Sequence, residues 1–110
     1  MMNDRLHRMA DLLLELETEM RRRGLWTSNE PTENALQSTA PFSADRLAIE
    51  EWLQWIFIPA IKSIIENDGE LPEKCEIHPY AEEFLLQGPD QPSTLLQIIR
   101  DIDRHISGEI

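Results

Sequence analysis

Cys75 and His78 offer the most legible reactive spacing in this chain. In Cys75-Glu76-Ile77-His78 a thiol stands three residues before an imidazole, a separation that can share a metal ion. One such pair supplies half a site. Cys75 is the only cysteine, and His7 and His105 are remote in sequence, so the expectation is a loop cysteine beside a histidine at a helix start, with no metal and no cofactor. The carboxylate pairs Glu50-Glu51 and Glu82-Glu83 do not cooperate as acid and base, because sequence neighbours on a helix point about 100° apart. Arg21, Arg22 and Arg23 could touch RNA phosphates, joined by Arg5 or Arg8 and by Trp26 for stacking. The alternative is that the three cations complement the dipole at a helix C-terminus. A glycine-rich phosphate loop, a serine nucleophile elbow and an HExxH pair are absent from the sequence. Catalysis is not expected.

The densest non-polar surface lies elsewhere, in residues 51–59, which read EWLQWIFIP. The elements that would hold this run are helices. Leu6, Met9, Leu13, Leu16 and Met20 recur at steps of three and four and predict a first helix over Asn3–Arg23, with Asn3 as cap and Gly24 just past its end. Residues 25–42 form a long connection with one helical turn over Thr32–Leu36, pinned by Leu25, Trp26 and Leu36. A second helix is predicted over Ser43–Asp68, capped by Ser43, stapled by Phe42 and Leu47 and ended by Asn67-Asp68-Gly69. Pro59 inside it predicts a kink. Third and fourth helices are expected over Pro79–Gln87 and Ser93–Ser107, with the GPDQP loop between them. The last carries the stripe Leu95, Ile99, Ile102 and Ile106, widened by Leu96 and Ile98. The expected fold is all-α: a four-helix bundle with a long first connection and a kinked second helix.

On a uniform helix, Ile49, Trp52, Leu53, Ile56, Ala60 and Ile64 form one stripe. Leu47, Ile58, Ile61 and Ile65 fall on another side, and Trp55 projects away from both. A partner surface built from Trp26, Trp52, Trp55, Phe57, Ile58 and Pro59 is therefore expected, with Trp55 its most exposed member. The same surface would also allow a homo-oligomer or a bundle pocket for an apolar ligand.

Residues 1–110 are read as a single domain. With 41% hydrophobic and 28% charged residues the composition is globular rather than disordered. The net charge of −11 falls outside the first 24 residues, whose five basic and five acidic groups cancel. Such a body resists anionic membranes and non-specific nucleic-acid binding, and suits a basic partner. A lone cysteine, no signal-peptide pattern at the N-terminus and no apolar run longer than the seven residues 55–61 predict a cytoplasmic protein with no membrane span.

The stretch PFSADRLAIEEWLQWIFIPAIKSIIENDGELP, followed by IHPYAEEF and LLQIIRDID, resembles the YqcC-like family of small bacterial proteins. The specific part is EWLQWIFIP with the later GELP and the Pro-x-Ala-Glu-Glu stretch at Pro79 to Glu83. The resemblance implies a small four-helix cytoplasmic domain associated with a tRNA pseudouridine synthase, because members are encoded beside that enzyme and can be joined to it. The family pattern commonly has an arginine after the helix proline, where Ala60 stands here. No catalytic residues carry over. The sequence thus points to a non-catalytic interaction module, accessory to such an enzyme, with direct tRNA contact through the arginines as the rival.

Overall fold

The computed structural model describes residues 4–37, 47–73, 75–85 and 93–108, which form six α-helices and one π-helical turn, with no strand among them. The predicted caps Asn3 and Ser43, the partner Phe42 of the staple, the end of the third helix and the GPDQP loop lie outside the described residues.

Helix α1 spans Asp4–Arg22 and buries Leu6, Met9, Leu12, Leu13, Leu16 and Met20. Gly24, at φ +72°, closes it. Leu25 N–H donates to Met20 O at 2.9 Å and Gly24 N–H to Arg21 O at 3.1 Å, the paired bonds that satisfy the last carbonyls of a helix when a left-handed residue follows. Helix α2 is the single turn Glu33–Leu36 in the long connection.

The predicted second helix begins later than its hydrophobic pattern suggests. Leu47 and Ala48 are non-helical, and α3 runs from Ile49 to Trp52. Glu51 sets that start, since its side chain accepts the Ala48 N–H at 3.0 Å. A π-helical turn, Leu53–Phe57, and then α4, Ile58–Glu66, continue the same rod. It ends at Glu66 and is closed by Asp68, whose φ is +49°, with Gly69 N–H on Ile64 O at 2.8 Å; the aspartate rather than the glycine takes the left-handed position.

Where a kink is expected, the structure has the π turn. Ile58 N–H reaches back five residues to Leu53 O. Pro59 follows at once, lacking an N–H and bringing a ring that would crowd the Trp55 carbonyl in a regular helix. Widening the preceding turn relieves both. The extra residue shifts the apolar face by one position, so the predicted stripe is corrected. Ile49 and Leu53 remain buried, but Phe57, Ile58 and Ile61 then take the core places, while Ile56 is half-buried and Ala60 exposed.

Helix α5 spans Ile77–Leu85 and starts two residues before the predicted Pro79. Pro79 therefore sits in the first turn, where its missing N–H leaves no helical bond unmade. Helix α6, Ser93–Ile106, buries Leu95, Ile99, Ile102 and Ile106. It packs on both α1 and α5. Arg5 donates to the carbonyls of Ile106 at 2.5 Å and His105 at 3.3 Å, and His105 Nε2 donates to Arg5 O at 2.8 Å. The start of α1 is thereby fastened to the end of α6, where a guanidinium also suits the helix dipole.

Candidate protein-docking surface

Gln54 organises the region around the π turn. It is the one amide in the EWLQWIFIP run and is buried. An amide in such surroundings needs partners of its own, and Gln54 finds them 27 residues upstream: Thr27 N–H donates to its Oε1 at 2.9 Å, and its Nε2 donates to Thr27 O at 2.5 Å. This two-bond clasp fixes the long connection against the rod. Trp26, next to it, packs on the core edge with the Arg21 guanidinium 4.8 Å from its ring centroid, a cation–π contact. Sequence periodicity does not reveal Gln54, although a lone amide inside the densest apolar run is itself the signal.

The predicted docking residues separate into two layers. Phe57 and Ile58 are in the core, at 7% and 2% exposure, so neither presents itself to a partner; the π turn is what moves them inward. Trp52, half-buried, stacks on Phe57 with centroids 5.4 Å apart. Trp55 is half-buried too, not the most exposed member expected. Its Nε1 is covered and has no hydrogen-bond partner among the described residues. Pro59 and Ala60 face solvent. Trp55, Pro59, Lys62 and Glu66 fall within roughly 60° of one another around the rod, so the outer layer leads along α4 toward α1.

There the two helices enclose an apolar groove of about 330 Å³, floored by Ala10, Leu13, Leu14 and Ile65 and edged by Glu17, Lys62 and Glu66. Leu14 is 63% exposed, the only large hydrophobic residue so exposed among those described.

The arginine run is engaged by carboxylates of α1. Arg22 holds both Glu19 carboxylate oxygens, at 2.9 and 2.8 Å, Arg23 adds a bond at 2.6 Å, and Arg21 pairs with Glu17 at 3.0 Å. The bonds from Arg22, working against the cost of burial and aided by Arg23, lower the Glu19 pKa from 4.5 to about 2. A carboxylate depressed in the folded state stabilises fully above its unfolded pKa, and that contribution is lost as pH falls through the folded one. Wild-type stability should therefore drop between pH 4.5 and about 2 more steeply than that of Glu19→Gln, as urea midpoints at stepped pH would record.

Cys75 and His78 converge on a different group, the Asp103 carboxylate of α6. The thiol donates to Oδ1 at 3.2 Å, Ile77 N–H to Oδ1 at 2.9 Å and His78 N–H to Oδ2 at 2.7 Å. Burial foremost, then the Asp103 charge, pushes the thiol pKa well above its ordinary range, which favours the protonated thiol that donates to Asp103. The His78 ring lies 3.6 Å from Glu82, one turn along α5. Among the described residues no group of three His, Cys, Asp or Glu side chains is placed to hold a metal ion. No described helix is long and apolar enough to cross a membrane.

Residues 8–105 match a protein family described as tRNA pseudouridine synthase C. An uncharacterized protein of Haemophilus influenzae is 42% identical over 73 residues, 66% of this chain and 69% of its own length. The uncharacterized protein YqcC of Escherichia coli is 32% identical over 91 residues, covering 83% and 84% of the two chains. A Pectobacterium carotovorum protein named tRNA pseudouridine synthase C is 35% identical over 68 residues, which are 62% of this chain but 18% of that protein. The solution NMR structure of Escherichia coli YqcC superposes with a TM-score of 0.84 at 28% identity, covering 98% of this chain and 92% of the other.

Proposed function

This chain belongs to the YqcC-like family, and on that premise we propose that it is a non-catalytic interaction module that docks on a tRNA pseudouridine synthase. In this reading the helices form a four-helix bundle of α1, the rod from Ile49 to Glu66, α5 and α6, and the bundle exists to present a surface. The observation that carries the proposal is the Pectobacterium match. A unit related to this chain occupies 18% of a longer protein bearing that enzyme's name. Joining two units in one chain raises the effective concentration of a contact that separate chains make by docking.

The surface includes Trp26, Trp52, Trp55 and Pro59, backed from beneath by Phe57 and Ile58. Direct tRNA contact through Arg21, Arg22 and Arg23 is the weaker reading, because Glu17 and Glu19 already neutralise much of that charge. A body of net charge −11 also repels phosphates.

The test is to purify this chain and the pseudouridine synthase of the same genome separately, treat both with nuclease and mix them at micromolar concentration. A one-to-one complex by size exclusion with light scattering is expected. Two folded proteins that elute apart would overturn the proposal.

A further inference from the structure

We propose that the groove between α1 and α4 is the seat of a basic amphipathic helix supplied by the partner. This rests on the reading of the chain as a protein-binding module and names the chemistry of what it binds. The floor is apolar, and Leu14 stands in it 63% exposed, an arrangement that receives the apolar face of a helix. From Ala10 to Glu17 the groove runs about 10 Å at 1.5 Å per residue, so two or three turns of a partner helix cover it.

Charge selects the occupant. Glu66 edges the groove on α4 and is exposed, and exposed Asp11 lies about 60° further round α1 than Leu14, so helix geometry sets a carboxylate to either side of the apolar floor. Among the described lining residues Lys62 is the one cation; it lies 4.0 Å from Glu17, whose carboxylate is also paired with Arg21 at the groove's end. The chain as a whole carries −11. Lysines or arginines flanking an apolar stripe match both edges at once. A second copy of this chain fits poorly: antiparallel pairing of two α1 helices about Leu14 sets Asp11 against Glu17, acid on acid, between two bodies of the same sign.

Titration calorimetry on the full chain would use an acetylated 18-residue peptide with leucines on one helical face and lysines elsewhere. Saturable one-to-one binding is expected, weakened at least tenfold by Leu14→Ser and about threefold by Glu66→Lys, with a shallower salt dependence in the latter. Leu14 is exposed, so its replacement should leave the thermal melt unchanged. Equal binding of a scrambled peptide of the same composition would overturn the inference, as would equal binding of a version with glutamate in place of lysine. So would a wild-type dimer by light scattering that Leu14→Ser dissolves. Should Leu14→Ser still bind the synthase as tightly as wild type, the groove assignment fails while the module reading stands. Peptide binding without a synthase complex would uphold the groove and overturn the synthase as its partner.

Discussion

Replacing Asp103 with alanine is expected to destabilise the protein by about 3 kcal/mol, because it leaves two backbone N–H groups and a thiol without their shared acceptor. For a domain of this size that corresponds to a fall in Tm of roughly 10–20 °C, read by circular dichroism. The carboxylate acts as the N-cap of α5 although it belongs to α6, so one substitution both uncaps one helix and loosens its joint with the next. Asp103→Asn keeps one oxygen acceptor and should recover about half of the loss. Cys75→Ser, which retains a donor toward Asp103, should cost less than either. A loss below about 1 kcal/mol for Asp103→Ala would mean that water replaces the carboxylate and that the latch is incidental.

The second large effect tests the shifted face of the rod. Ile58→Ala should cost about 3 kcal/mol, since Ile58 is 2% exposed in the core. Ile56→Ala should cost about 1 kcal/mol, because that side chain is half-buried. A regular helix through the same sequence reverses the order, with Ile56 inside the stripe beside Leu53 and Ile58 off it. Urea unfolding of the two variants therefore decides between a π turn and an unbroken α-helix. Equal losses would sink the shifted register.

What the sequence made legible was whatever depends on period within one element. Leu6, Met9, Leu13, Leu16 and Met20 lie along α1 as spaced, and Leu95, Ile99, Ile102 and Ile106 lie along α6. The all-helical character follows from these stripes, and Gly24 ends α1 as a residue tolerant of positive φ should. The rod was only half legible. Pro59 signalled an interruption, but a sequence pattern cannot say whether a helix meets a proline with a regular turn or with a widened one. The two answers put different residues in the core, and on that choice rest the inward places of Phe57 and Ile58.

The polar ties were illegible for another reason. Thr27 with Gln54 and Cys75 with Asp103 join residues 27 and 28 positions apart, beyond the reach of any local spacing. The Cys75–His78 separation suggested half a metal site, and a distant carboxylate is what the two positions share. The groove leaves no mark on the pattern because Leu14, at 63% exposure, sits beside the apolar stripe of α1 and not on it. A single leucine off the stripe carries no periodic signal.

The fastening of Arg5 to the last turn of α6 has a consequence for synthesis. Helix α1 packs against α6, which is made about 70 residues later. At roughly 5–20 residues per second, the ~70 residues between Arg22 and Ser93 take about 4–14 s to translate. Over that interval the face from Leu6 to Met20 is without its main cover. A nascent chain of this protein should be a client for whatever holds sticky helices apart on the ribosome, and its native contacts should close late and together.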